Sequence, residues 1–199
     1  MATQFIRSIA FVSLFLFFPS SRAQAQTDVP RIETGVQFVG LSLPQPIGEG
    51  APGIGVRFGY NLSNYIGLEA ELNHFSGGTK LTPNFGETEG LFGLKAGYGF
   101  KRGGIFAKFR PGFIHFPKDG AAAGRGLTKR DYFALDVGIV AEHYWRNHTY
   151  FRFDAGDTII SYGGERYIDT FGKIVPLHTT SNFQVSVGVG NWFHPSQTR

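Results

Sequence analysis

From Ile32 onward, apolar and polar residues alternate one by one through run after run of this chain. A period of two is the repeat of a β-strand whose faces meet unlike surroundings, and it gives those stretches no amphipathic helix to form. The second run sets Ile54, Val56, Phe58 and Tyr60 against Gly55, Arg57, Gly59 and Asn61; the third sets Ile66, Leu68, Ala70 and Leu72 against Gly67, Glu69, Glu71 and Asn73. Five more runs obey the same rule, the last with Phe183, Val185, Val187 and Val189 against Gln184, Ser186, Gly188 and Gly190. The first, Ile32 to Leu43, breaks it. Its apolar parity slips from Val36 and Phe38 to Val39, Leu41 and Leu43, which predicts a β-bulge. Pro111 predicts a second bulge or bend beside Arg110, because proline cannot donate to a ladder.

The eight runs are joined by connections of two kinds. Asn61–Asn64, Lys101–Gly104 and Arg146–His148 are tight, whereas Pro44–Pro52, Ser76–Gly86, Pro117–Arg130 and Gly163–Thr180 are long and rich in Gly, Pro and charge. Short and long strictly alternate. That sorting belongs to an up-and-down barrel in a bacterial outer membrane, with turns on the periplasmic side and loops outside. Tilted strands of about ten residues are the length that crosses the hydrocarbon. The fold class expected is therefore all-β: an eight-stranded, antiparallel, up-and-down transmembrane β-barrel.

The polar face decides which way the strands turn. A solvated face carries mostly Lys, Glu, Thr and Gln; here it is glycine, part of a total of 28, interrupted by charge. Six acids (Glu69, Glu71, Glu89, Asp136, Glu142, Asp154) oppose five bases (Arg57, Lys95, Lys108, Arg110, Arg152). Eight strands enclose a bore that side chains just fill. Glycines make room in it, and near-balanced charges can pair there, as burial requires. The apolar stripes then face lipid. Aromatics gather at the turn end (Tyr60, Tyr65, Tyr98, Phe100, Tyr144, Trp145, Trp192 and Phe193), as amphipathic rings do at a membrane interface. A soluble, lipocalin-like periplasmic barrel with an apolar ligand inside would show the same alternation with its faces reversed.

Residues Met1–Ala25 read as a cleaved secretory signal: Arg7, the apolar run Ile9–Phe18, Pro19 and the small-residue site Ala23-Gln-Ala25. The barrel domain is then 26–199. Cysteine is absent, which removes disulfides, thiolate metal sites and cysteine nucleophiles. The net charge of +4 falls to +2 once Arg7 and Arg22 leave, no signature of a nucleic-acid partner.

With its signal, sorted connections, ionic Gly-rich face and closing Val187-Gly-Val-Gly-Asn-Trp-Phe193, the chain resembles the OmpA/OmpX-type small outer-membrane β-barrels of Gram-negative bacteria. The resemblance implies a monomeric, porin-like cell-envelope protein without a cofactor. It implies outer-membrane lipid and lipopolysaccharide as surroundings, and a role in envelope integrity or surface interaction through the long loops. It also implies a terminal signal read by the barrel-assembly machinery, here Phe183, Val185, Val187, Val189 and Phe193. His194–Arg199 departs from the pattern, in which the aromatic comes last, and Asn191 stands where an apolar residue is expected.

One segment suggests chemistry. His74-Phe-Ser76 with Pro83–Glu87 is similar to the His-x-Ser region of outer-membrane lipid A deacylases. That likeness implies Ser76 as nucleophile, His74 as base and Glu87 or Glu89 as the acid that orients the ring. Gly77-Gly78 replaces the Asn-Ala that follows the serine in that family, and the segment lies in the first half of the chain. The reading favoured is no enzyme. His115, His143, His148, His178 and His194 form no metal-binding spacing, so no metal is expected.

Overall fold

The computed structural model describes residues 30–43, 50–76, 86–117, 129–145, 148–168 and 173–193. The expected signal segment and most of the long connections lie outside them. Eight strands form: β1 (Ile32–Ser42), β2 (Gly50–Asn61), β3 (Ile66–Phe75), β4 (Thr88–Phe100), β5 (Gly103–His115), β6 (Asp131–Tyr144), β7 (Thr149–Ile168) and β8 (Ile174–Phe193). Each pairs antiparallel with the next, and β8 pairs back onto β1 from Ile32↔Phe193 to Leu41↔Gln184. Closure removes the open sheet edges from the barrel wall, the condition for a sheet to sit in hydrocarbon.

The expected bulge in β1 does not occur. Its register runs unbroken from Ile32↔Tyr60 to Ser42↔Gly50, with Val36 and Phe38 outside and Val39, Leu41 and Leu43 inside. The parity slip has another cause: toward the long-loop end the barrel interior itself becomes apolar. Pro111 makes no bulge either. The β4–β5 register is the same on both sides of it, and pairing simply lapses between Leu91↔Gly112 and Leu94↔Phe109. Proline's missing amide thus opens the ladder locally without adding a residue.

A third difference concerns Gly163–Thr180, expected as a loop. Most of it is strand: β7 and β8 continue to Ile168↔Ile174 as a long hairpin. The register shifts between Ser161 and Glu165, where Gly163 and Gly164 take positive φ of 64° and 80°. Glycine reaches that conformation without the steric cost of a side chain.

Close approach between strands explains part of the glycine content. Gly138 and Gly156 face each other across β6 and β7, and a β-carbon on either would collide with the neighbouring strand's carbonyl oxygen, of Ala155 or Val137. Other glycines make space for lumen side chains; at Gly67 the aliphatic stem of Lys95 occupies the position of the absent side chain.

Candidate functional site

The interior of the barrel is where the unusual chemistry lies. All eleven charged residues of the polar parity point inward and are buried, down to 0% exposure at Lys95, Arg110, Glu89 and Asp136, while Phe38 on the opposite parity is 71% exposed. The wall is thus apolar outside and charged inside, the reverse of a soluble barrel carrying an apolar ligand.

Arg152 and Arg110 are the hubs. The Arg152 guanidinium donates to Glu69, to Glu142 Oε1 at 2.9 Å and to both oxygens of Asp154 at 2.8 Å. Arg110 donates to Glu71 Oε2 at 2.6 Å and twice to Asp136 Oδ2, at 2.8 and 2.5 Å. Lys95 bridges Glu33 at 2.9 Å and Glu142 at 2.5 Å, and Lys108 lies 3.0 Å from Asp136 Oδ1. Arg57 is 3.5 Å from Asp154 and donates to Gln37 Oε1 at 2.7 Å. Strands β1 to β7 all contribute members, so the ion pairs tie the cylinder across its bore. Breaking such a pair by removing one partner leaves a buried charge uncompensated.

Glu33 is a member that the alternation of β1 concealed. It is 1% exposed and accepts from Asn61 and Lys95. With it, the strands carry seven interior carboxyls against five cations among the described residues. The six-to-five balance expected from the sequence is therefore corrected to an acidic excess of two.

The interior is layered along the barrel axis. At the turn end Tyr144, Tyr150 and Trp192 pack together, with ring centroids 6.2 and 6.4 Å from Tyr144. This corrects the rim assignment for Tyr144 and Trp192, which face inward; Tyr65, Tyr98 and Trp145 are exposed as expected. The ionic network comes next. Above it Gln37, Asn73, Thr158, Asn182 and Gln184 form an uncharged polar layer, all buried. The long-loop end is closed by an apolar cap that includes Leu41, Phe75, Leu91, Ile114, Phe116 and Tyr162. A bore filled only by glycine and charge was expected; its long-loop end is instead an ordinary hydrophobic core.

The segment read as a possible hydrolase site is not assembled. His74 Nδ1 is 3.1 Å from Thr88 Oγ1, and Ser76 Oγ donates to the Pro52 carbonyl at 3.0 Å. His74 and Ser76 are exposed on the outer face, whereas Glu87 is buried at the mouth of the lumen. Burial pushes the Glu87 carboxyl above its ordinary pKa, with a backbone hydrogen bond and His74 acting the other way. The terminal-strand residues Phe183, Val187, Val189 and Phe193 are exposed on the outer wall, with Val185 half-buried between them on the same parity. Among the described residues no cluster of three or more His, Asp or Glu is placed to hold a metal ion. A basic stretch of the sequence, Gly124–Arg130 with Arg125, Lys129 and Arg130, lies outside the described residues apart from Lys129 and Arg130.

Among solved structures, the chain is similar to the outer membrane protein OprG from Pseudomonas aeruginosa (12% identity, 85% of this chain and 98% of that one, TM-score 0.49). It is also similar to Neisserial surface protein A (13%, 81% and 96%, TM-score 0.45). A third is the outer membrane protein AlkL in lipid bilayers (15%, 92% and 98%, TM-score 0.47). No curated protein matches the chain. The family model described as outer membrane protein beta-barrel domain matches residues 10–190, nearly the whole sequence. This chain belongs to that family, and it is a β-barrel protein of the outer membrane.

Proposed function

We propose that the protein is a non-enzymatic structural element of the outer membrane, with a sealed lumen, acting through its lipid-facing wall and its extracellular connections. The observation that carries this reading is the closure of the bore at three levels: an aromatic floor, an ion-paired middle and an apolar cap. A path for solutes would need all three layers to open. Envelope integrity and surface interaction are the roles left to such a cylinder. Lipid and lipopolysaccharide surround it, and the barrel-assembly machinery reads its last strand during insertion from a periplasmic form whose signal has been removed. Oligomerisation is not required by this reading, which takes the protein as a monomer.

Two measurements test it together. In planar bilayers the purified barrel is expected to show no sustained conductance, and steady open channels would overturn the sealed lumen. Lipid A extracted from cells carrying wild type or Ser76→Ala is expected to have the same acyl pattern. Acyl loss that depends on Ser76 would convert the assignment to a deacylase, with the His74–Ser76 pair rearranged from its present partners.

A further inference from the structure

Of the seven interior carboxyls that the strands carry, every one but Glu89 has donors or cations at both oxygens; Glu87, at the mouth of the lumen just before β4, also leaves one oxygen without a partner. Glu69 and Asp154 are held by Arg152, Glu71 by Gln37, Asn73 and Arg110, and Asp136 by Arg110 and Lys108. Glu33 is served by Asn61 and Lys95, and Glu142 by Lys95, Arg152 and the Tyr144 hydroxyl. Glu89 differs. It is fully buried, no cation lies within ion-pairing distance among the described residues, and Oε1 has no hydrogen-bond partner.

Its other oxygen is served twice, by amides whose orientation is fixed from a distance. Arg57 donates to Gln37 Oε1, which turns the Gln37 amide nitrogen toward Asn73 Oδ1 at 2.8 Å. The Asn73 nitrogen then faces Glu89 Oε2 at 2.8 Å. From the opposite wall, Thr158 donates to Gln184 Oε1, and the Gln184 nitrogen reaches the same Oε2 at 3.2 Å. Two donors on one oxygen and none on the other is the pattern of a carboxylic acid, whose carbonyl accepts while its hydroxyl does not.

The surroundings agree. The charged groups that act most strongly on Glu89 are the acids Glu71 on β3 and Asp136 on β6, each already held by Arg110 of β5; β1, β7 and β8 present the uncharged Gln37, Thr158 and Gln184, and its register partner on β5 is Ile114. An anion there would be desolvated beneath the apolar cap beside like charges, which is strongly unfavourable. A metal ion needs several ligands, and one free oxygen offers a single one. A proton needs no ligand set: it leaves a neutral hydroxyl without an acceptor, which costs far less than a bare buried anion.

We propose that Glu89 is a proton-binding site of the lumen, carrying its hydrogen on Oε1 as a neutral acid between the ionic network and the apolar cap. It neutralises one of the two excess interior acids. The second is placed where the single Tyr144 hydroxyl hydrogen lies between Glu33 Oε1 at 2.7 Å and Glu142 Oε2 at 2.9 Å, so that one of the three groups must supply another proton. Loss of the Glu89 proton in alkali puts an uncompensated anion directly under the cap and loosens the extracellular half of the core.

The test uses the refolded full barrel in detergent, with Glu87→Gln as background because Glu87 also favours its neutral form. The infrared spectrum at neutral pH is expected to show a protonated-carboxyl carbonyl band, one component of which is lost in E89Q and displaced in Gln184→Leu. The second variant reports on the same oxygen if E89Q does not fold. Thermal stability gives the other readout. An acid held neutral in the fold but ionised when unfolded contributes stability below its unfolded pKa and loses it as pH rises. The melting temperature is therefore expected to fall between about pH 5 and about pH 9 more steeply in the background protein than in E89Q. The proposal is overturned by a spectrum without the band at neutral pH, by a band unchanged in both variants, or by identical pH slopes. It is equally overturned if sodium, compared with choline at equal ionic strength, restores the alkaline stability, since the bare oxygen would then hold a metal ion.

Discussion

Replacing Arg152 with methionine is expected to lower the barrel's unfolding free energy by about 3–5 kcal/mol, the largest effect of any single interior change. Methionine keeps much of the volume but removes the donors that hold Glu69, Glu142 and Asp154 at once. Those carboxyls are buried away from bulk solvent. Denaturant unfolding of the refolded protein measures the loss, and the form of the pattern matters as much as its size. If the cost is uncompensated charge, adding Glu69→Gln to Arg152→Met should recover part of it. A double variant weaker than the single one by the full cost of Glu69→Gln alone would show that the two residues do not act on each other.

On the outer wall, Leu94→Arg is expected to cost about 2–4 kcal/mol, because it puts a guanidinium near the middle of the hydrocarbon. Leu94 is central in β4, faces outward and is flanked by Leu68 and Phe109 on the adjoining strands. The same substitution nearer a rim should cost much less, since the side chain can reach headgroups. Phe100→Arg, at the end of β4, serves as that comparison. Equal penalties at the two depths, measured by unfolding from lipid vesicles, would mean that the wall does not sense a bilayer.

The membrane-facing half of the architecture was legible in the chain because each outward residue contrasts with its inward neighbours. Through Ile54–Asn61 of β2 and Ile66–Asn73 of β3 each step changes chemistry, as from Phe58 to Arg57 or from Leu68 to Glu69, and the face assignment follows without ambiguity. Contrast vanishes where both faces are apolar. At the long-loop end, lipid outside and the hydrophobic cap inside produce adjacent apolar pairs: Phe38-Val39, Leu91-Phe92, Phe113-Ile114 and Ile159-Ile160. Read on one strand, such a pair imitates a slip of register, which is why β1 suggested a bulge. Read across strands, the pairs lie at one level near the long loops and mark the buried cap.

The ionic site was partly visible for a related reason. Charges set singly among glycines and apolar residues stand out, and they lie inside. Glu33 was hidden by the irregular parity of its strand. Partner choice was beyond reach, because it depends on which strands face one another across the bore: Arg152 and Glu69 are 83 positions apart and meet only after closure. Tyr144 and Trp192 show the same limit, since residues at a strand end can turn into the lumen or out to the interface with equal chemical logic.

The roles of wall and lumen depend on which parity of each strand touches lipid, and two neighbours on β8 test this with little disturbance. The natural chain has no cysteine, so Ser186→Cys and Val187→Cys each introduce a single thiol. Ser186 is 4% exposed inside the barrel, and Val187 is 57% exposed on its wall. In vesicles, a spin label on the thiol of the Val187→Cys variant is expected to be reached by oxygen dissolved in the bilayer and not by a water-soluble paramagnetic ion. The thiol of the Ser186→Cys variant is expected to resist labelling until the barrel is unfolded. A Ser186→Cys thiol that labels readily while the Val187→Cys thiol is protected, or a label at position 187 bathed in water, would contradict the assignment of the two faces.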